Sequence, residues 1–122
     1  MTTISPHAII SPDVQIGSNV EISHFCVIES GVTIGNSCTF DSHVVIKSGV
    51  TIGNNNRFGA GSVIGGVPQH VSAPPPFGKV HIGEGNVFGE DTTVHRAIEE
   101  SNATVIGHEN CLMAGAHTAH AA

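Results

Sequence analysis

His117 and His120 stand three residues apart in the stretch LMAGAHTAH (112–120), and His95 stands in TVHRA (93–97). Histidine is the side chain whose ordinary proton exchange falls nearest neutral pH. A neutral imidazole can take the proton of a hydroxyl as that oxygen attacks an activated carbonyl, and general-base help of this kind is worth about 10²–10⁴-fold in rate. The same ring can also hold zinc. The chain carries nine histidines in 122 residues. Six of them, His7, His24, His43, His70, His81 and His108, fall in polar positions of a repeat and are read as structural.

That repeat is what must position the others. From Ile4, every sixth residue through Ile64 is large and apolar: eleven positions, nine of them Ile and the other two Phe40 and Phe58. Four residues after each comes a mostly small or β-branched residue, such as Ala8, Val14, Val20, Cys26, Val32 or Cys38. Glycine, asparagine and serine fill much of what remains. A period of six suits neither a helix nor a plain alternating strand. It describes very short strands broken by regular turns, the hexapeptide β-solenoid, in which three hexads make one three-sided coil. Coils would stack about 4.8 Å apart by parallel pairing. The phase resumes at Ile82, Phe88 and Val94 and again at Ile106, Leu112 and Thr118. Two stretches break the hexad chemistry but keep the count, one at about 65–79 with four of the six prolines, the other at about 96–104. Proline lacks a ladder donor, so the first reads as a loop thrown off the coil, and the second as a shorter excursion after His95. The expected organisation is one domain, residues 1–122.

Composition narrows the functions. Four Lys and Arg against ten Asp and Glu, a formal charge of −6, argue against nucleic acid or an anionic membrane surface as partner. No apolar run approaches the length of a membrane span. The start, MTTISPHAII, lacks the basic and hydrophobic pattern of a signal peptide. Three cysteines without metal-type spacing then suggest reduced thiols in a cytoplasmic protein. With no Trp, no Tyr and five Phe, aliphatic side chains must fill the interior.

The stretches ISPHAIISPDVQIG, SHVVIKSGVTIG (42–53), IGGVPQ, TVHRA and LMAGAHTAH, in this order and with these loops, resemble the N-terminal half of the bacterial UDP-N-acetylglucosamine O-acyltransferases. The resemblance implies a left-handed parallel β-helix, a homotrimer and clefts between subunits as active sites. It implies transfer of a 3-hydroxyacyl group from acyl carrier protein to a hydroxyl of UDP-N-acetylglucosamine, the first step of lipid A synthesis, with no metal or soluble cofactor. On that resemblance His120 is the catalytic base. His117 lines the cleft for acyl donor and nucleotide sugar, His95 stands near the sugar, and Gln69 belongs to a substrate-contacting loop.

Departures from the family pattern fall at four places. The loop acid and lysine of the family are replaced at His70 and Ser72, and the family's HRG reads HRA, with Ala97. The given sequence ends shortly after His120, so the coils and the C-terminal helical region of the family are expected to be missing. An uncapped last coil is expected to cover itself by self-association, with two trimers meeting end to end. The alternative function is a non-catalytic, self-assembling β-helix module. A zinc site of the kind found in the γ-class carbonic anhydrases is disfavoured, because the spacing of His117 and His120 does not resemble that family's.

Overall fold

The computed structural model describes residues 1–68 and 75–119. Its seventeen strands, most of two residues, form three all-parallel sheets of six, six and five strands. Successive strands belong to successive sheets, so the chain winds as a three-faced left-handed β-helix, and no helix is present among the described residues. Among the described residues no helix is long and apolar enough to cross a membrane.

Each strand places one residue outward and the next inward, as strand geometry requires. Inward residues stack by type. The first face carries Ile4, Ile22, Phe40, Phe58, Phe88 and Leu112 in register. The three buried Phe rings lie nearly parallel, at 4.8 Å and 5° between Phe40 and Phe58 and at 4.6 Å and 8° between Phe58 and Phe88. Ile10, Ile28, Ile46, Ile64, Val94 and Thr118 line the second face, and Ile16, Ile34, Ile52, Ile82 and Ile106 the third. The large apolar residue of each hexad is therefore the inward one, as its period predicts.

The smaller slot of the hexad fills the corners. Val20 and Cys38 are followed there by Asn56 and Asn86, both fully buried. The Asn56 amide donates to the carbonyls of Gly53 (3.0 Å) and Gly83 (2.7 Å), and the Asn86 amide to Gly107 (2.8 Å), so each side chain ties its own coil to the next. Ser62 donates to Gly59 (2.8 Å) and Thr92 to Gly89 (2.6 Å) at the next corner. A buried polar group placed against turn carbonyls costs little once bonded. Cys26 and Cys38 are free thiols whose burial pushes their pKa up, whereas free Cys111 is exposed.

The two excursions keep phase because each adds whole hexads. Facing residues in the first coils are 18 apart (Arg57 over Thr39), then 30 apart (Val87 over Arg57) and then 24 apart (Cys111 over Val87). The strands before and after the first loop run Val63–Gly66 and Lys79–Ile82, and those around the second run Thr93–His95 and Ala103–Ile106. Pairing thus reaches a residue or more into both stretches read as loop.

Candidate active site

The second face carries the chemistry. Its outward row begins with Ile9, Val27, Val45 and Val63 and ends with Thr93 and His117. Ile9 is 69% exposed. The corresponding row of the third face, Gln15, Thr33, Thr51, His81 and Val105, is polar except at its last position. An outward ladder of branched apolar residues leading to a histidine suits a covered surface better than an open one.

Thr93 and His117 are register partners on adjoining strands. Thr93 Oγ1 and His117 Nδ1 are 2.7 Å apart. His95, two residues on from Thr93 and so on the same side of the strand, stands edge to face with His117, with ring centroids 4.6 Å apart and planes at 73°. Two histidines 22 residues apart in sequence are thus brought together by a single step up the solenoid.

A bulge makes room for this pair. The strand pairing slips between Ile64 and Gly66, so that Gly66 comes opposite His95. Gly65 takes up the extra residue at φ +90°, where an added Cβ would meet Val50 Cγ2 at 2.5 Å. At Gly66 an added Cβ would lie 3.2 Å from His95 Cδ2. Bulges commonly re-aim a side chain beside a functional site. Here the bulge sets a bare backbone against the His95 ring.

Beyond His95 the two excursions lock together. The Arg96 backbone N–H donates to Gly66 O (2.9 Å). Its guanidinium reaches the returning limb of the first loop, with Nε donating to Gly78 O (2.8 Å) and Nη2 to Phe77 O (3.2 Å). Gly78 N–H donates to Ala97 O (2.7 Å). A Cβ at Gly78 would stand 2.3 Å from Asn102 O and 2.8 Å from Ala97 Cβ. Ala97, the departure from HRG, is 3% exposed and fits because its neighbour is a glycine.

Of the residues expected from the sequence to act, His95 and His117 are described and adjacent. Gln69 and His120 lie outside the described residues, as do His70 and Ser72. Sequence reading missed Thr93 and Gly66. Thr93 could have been found from the strand register, because it faces His117 once the second excursion is counted as one extra hexad. Among the described residues no three His, Cys, Asp or Glu converge as a metal-ligand set.

A three-faced parallel solenoid of hexads is the architecture of the hexapeptide-repeat proteins. Residues 31–66 match the bacterial transferase hexapeptide (six repeats) model. The chain is 50% identical over 121 residues to an acyl-[acyl-carrier-protein]–UDP-N-acetylglucosamine O-acyltransferase of Sulfurihydrogenibium sp., covering 98% of this chain and 45% of the relative. It is 41% identical over 120 residues to the enzyme of that name from Akkermansia muciniphila, with 98% and 46% covered. The crystal structure of the UDP-N-acetylglucosamine acyltransferase from Bacteroides fragilis superposes with a TM-score of 0.91 at 36% identity, over 97% of this chain and 46% of that one. The chain is homologous to the N-terminal half of the UDP-N-acetylglucosamine O-acyltransferases. It spans about half the length of the curated relatives it matches.

Proposed function

We propose that this chain serves acyl transfer from acyl carrier protein to UDP-N-acetylglucosamine, the reaction that opens lipid A synthesis, in the cytoplasm and as a homotrimer. The observation that carries the reading is the His95–His117 pair, held edge to face on a face whose outward row is apolar from Ile9 to Val63. The sequence of the relatives covers the same strands. In this reaction a hydroxyl of the sugar attacks the thioester carbonyl of a 3-hydroxyacyl group. His120 takes the hydroxyl proton as the new C–O bond forms. The tetrahedral intermediate then collapses, the C–S bond breaks, and the imidazolium returns the proton to the leaving thiolate. His117 and His95 line the cleft where donor and sugar meet, and Gln69 contacts the substrate from the first excursion. The apolar row Ile9, Val27, Val45 and Val63 is the surface a neighbouring subunit would cover.

The test is a transfer assay with 3-hydroxyacyl carrier protein and UDP-N-acetylglucosamine. His120→Ala is expected to lower the rate by about 10²-fold or more, and an unchanged rate would remove His120 from the base role. The same apolar row also favours a second reading, a non-catalytic module that assembles through that face. A well-folded chain that associates in solution but fails to bind the nucleotide sugar would favour the second reading over the first.

A further inference from the structure

We infer that Thr93 is a positioning residue that holds His117 in one tautomer, with the proton on Nε2, so that His117 turns a hydrogen-bond donor toward the substrate. The inference deepens the transferase reading and rests on it for the identity of the acceptor, a substrate oxygen. The tautomer itself does not depend on that reading.

The geometry is specific. Thr93 Oγ1 lies 2.7 Å from His117 Nδ1, and the two residues face each other across a parallel pair. Neither backbone is free to drift, because Thr93 N–H donates to Ala116 O (3.0 Å) and Val63 N–H to Thr92 O (2.9 Å). Threonine is β-branched and stiff at its first side-chain torsion, so a fixed strand fixes its hydroxyl. The His95 ring meets His117 at 73° and 4.6 Å and limits how far the imidazole can swing.

A hydroxyl has one hydrogen to give. Among the described residues His117 Nδ1 is the side-chain partner of Thr93 Oγ1, and the hydroxyl is taken as the donor across this contact. When Nδ1 accepts, a neutral imidazole must carry its hydrogen on Nε2, because the bond made at one ring nitrogen sets the state of the other. The ring then donates from the side away from Thr93. Two histidines three apart would in this way be given opposite duties. His120 accepts a proton as the base, and His117 offers one in a hydrogen bond. A site built from two unsorted imidazoles would present the wrong tautomer at each part of the time.

The experiment uses the full chain, labelled with ¹⁵N, at about pH 8, above the ordinary histidine range. Long-range ¹H–¹⁵N spectra report which ring nitrogen carries the hydrogen, and His117→Gln assigns the His117 signals by their loss. In the unsubstituted protein His117 should show a protonated Nε2 and a bare Nδ1. Thr93→Val keeps the side-chain shape, and Val63 and Val45 already occupy the same outward row, so the fold should hold. That variant should give a mixture of tautomers, and Thr93→Ser should restore the single form. A protonated Nδ1 in the parent, or an unmoved tautomer in Thr93→Val, would overturn the assignment.

Titration with UDP-N-acetylglucosamine supplies the second reading of the same variants. Thr93→Val should bind about fivefold more weakly and Thr93→Ser within about twofold, the scale of one hydrogen bond. Should the tautomer mix while affinity stays constant, the substrate-facing part of the inference fails. Failure of the parent itself to bind would instead count against the transferase reading and leave the spectroscopic result intact.

Discussion

The corner between the first and second faces and the corner between the second and third are built by the same hexad, yet they behave differently. At the first, six coils in succession turn in a fixed number of residues, so that the inward residue is always followed six later by the next: Ile4 to Ile10, Phe58 to Ile64, Leu112 to Thr118. Single residues of left-handed conformation close these turns, including Phe25, His43, Gly61, Asp91 and Gly115. At the second, Gly31 and Gly49 close the early turns in the same way, but the later ones open into the two excursions. The inward residues there run from Ile64 to Ile82 and from Val94 to Ile106. Both inserts here are a whole number of hexads, and the strands after them stack in the same phase as the strands before. His95, Arg96 and the loop-locking Gly78 all sit beside the corner that opens. The fold thus separates a surface that repeats from a surface free to vary.

The sharpest way to break this contrast is to delete residues from the second excursion. Removing 97–102 takes out one whole hexad and should leave the later strands facing as they do. Removing 97–101 should not, because a shift of one residue turns every inward side chain outward. Ile106 and Leu112 would then face solvent while Val105 and Cys111 turned inward. Solenoid stability is a sum over neighbouring coils. The loss should therefore be confined to strands past 103 and be complete there. Amide hydrogen exchange resolves it: protection at 104–112 should survive the six-residue deletion and vanish with the five-residue one. Equal protection in both would mean that phase is not what the loop lengths preserve.

A smaller effect is expected where the excursions meet. Gly78→Ala places a methyl 2.3 Å from Asn102 O and 2.4 Å from Glu99 O, both backbone atoms of the second loop. Backbone cannot swing aside as a long side chain can, so the loops must part. The cost should be about 1–3 kcal/mol, the range of overpacked interiors, read as a lower denaturation midpoint. The Arg96 bonds to Phe77 and Gly78 should loosen with it, so amides at 95–97 should lose protection while those of the early coils keep theirs.

The residues of the repeat could be read without coordinates because their signal is redundant: eleven hexads state one geometry, and any one could be lost. The polar residues in the small slot were harder. Asn56 and Ser62 look like interruptions in sequence, and only the position of the carbonyls of Gly53, Gly83, Gly59 and Gly89 shows that the interior accommodates them. Of the site, His95 and His117 were readable as residue types in motifs. Their contact was not, because it depends on counting the second excursion as one hexad in the register. Gly66 and Thr93 were missed for a related reason. A glycine after a glycine and a threonine in a strand are ordinary in sequence. They acquire meaning only when the bulge sets one under His95 and the register sets the other against His117.

The smallest effect is expected at the corner that never changes. Phe25 holds φ +62° and is 56% exposed, an unusual combination for a bulky residue. Its ring stacks on His7 at 5.8 Å and packs against His43 at 5.3 Å, making a column of three rings along the edge. Left-handed backbone costs an L-residue about 1–2 kcal/mol, and asparagine tolerates it best after glycine. Asn19 and Asn55 hold the same conformation at another corner. If Phe25 merely closes its turn, Phe25→Asn should leave stability within about 0.5 kcal/mol of the parent, the relieved strain offsetting the lost ring contacts. A denaturation midpoint decides it. A loss beyond about 1.5 kcal/mol would mean that the ring column contributes more than turn strain removes. The tight corner would then be a stabilising spine, and the two corners would differ in how they hold the coil together as well as in how they vary.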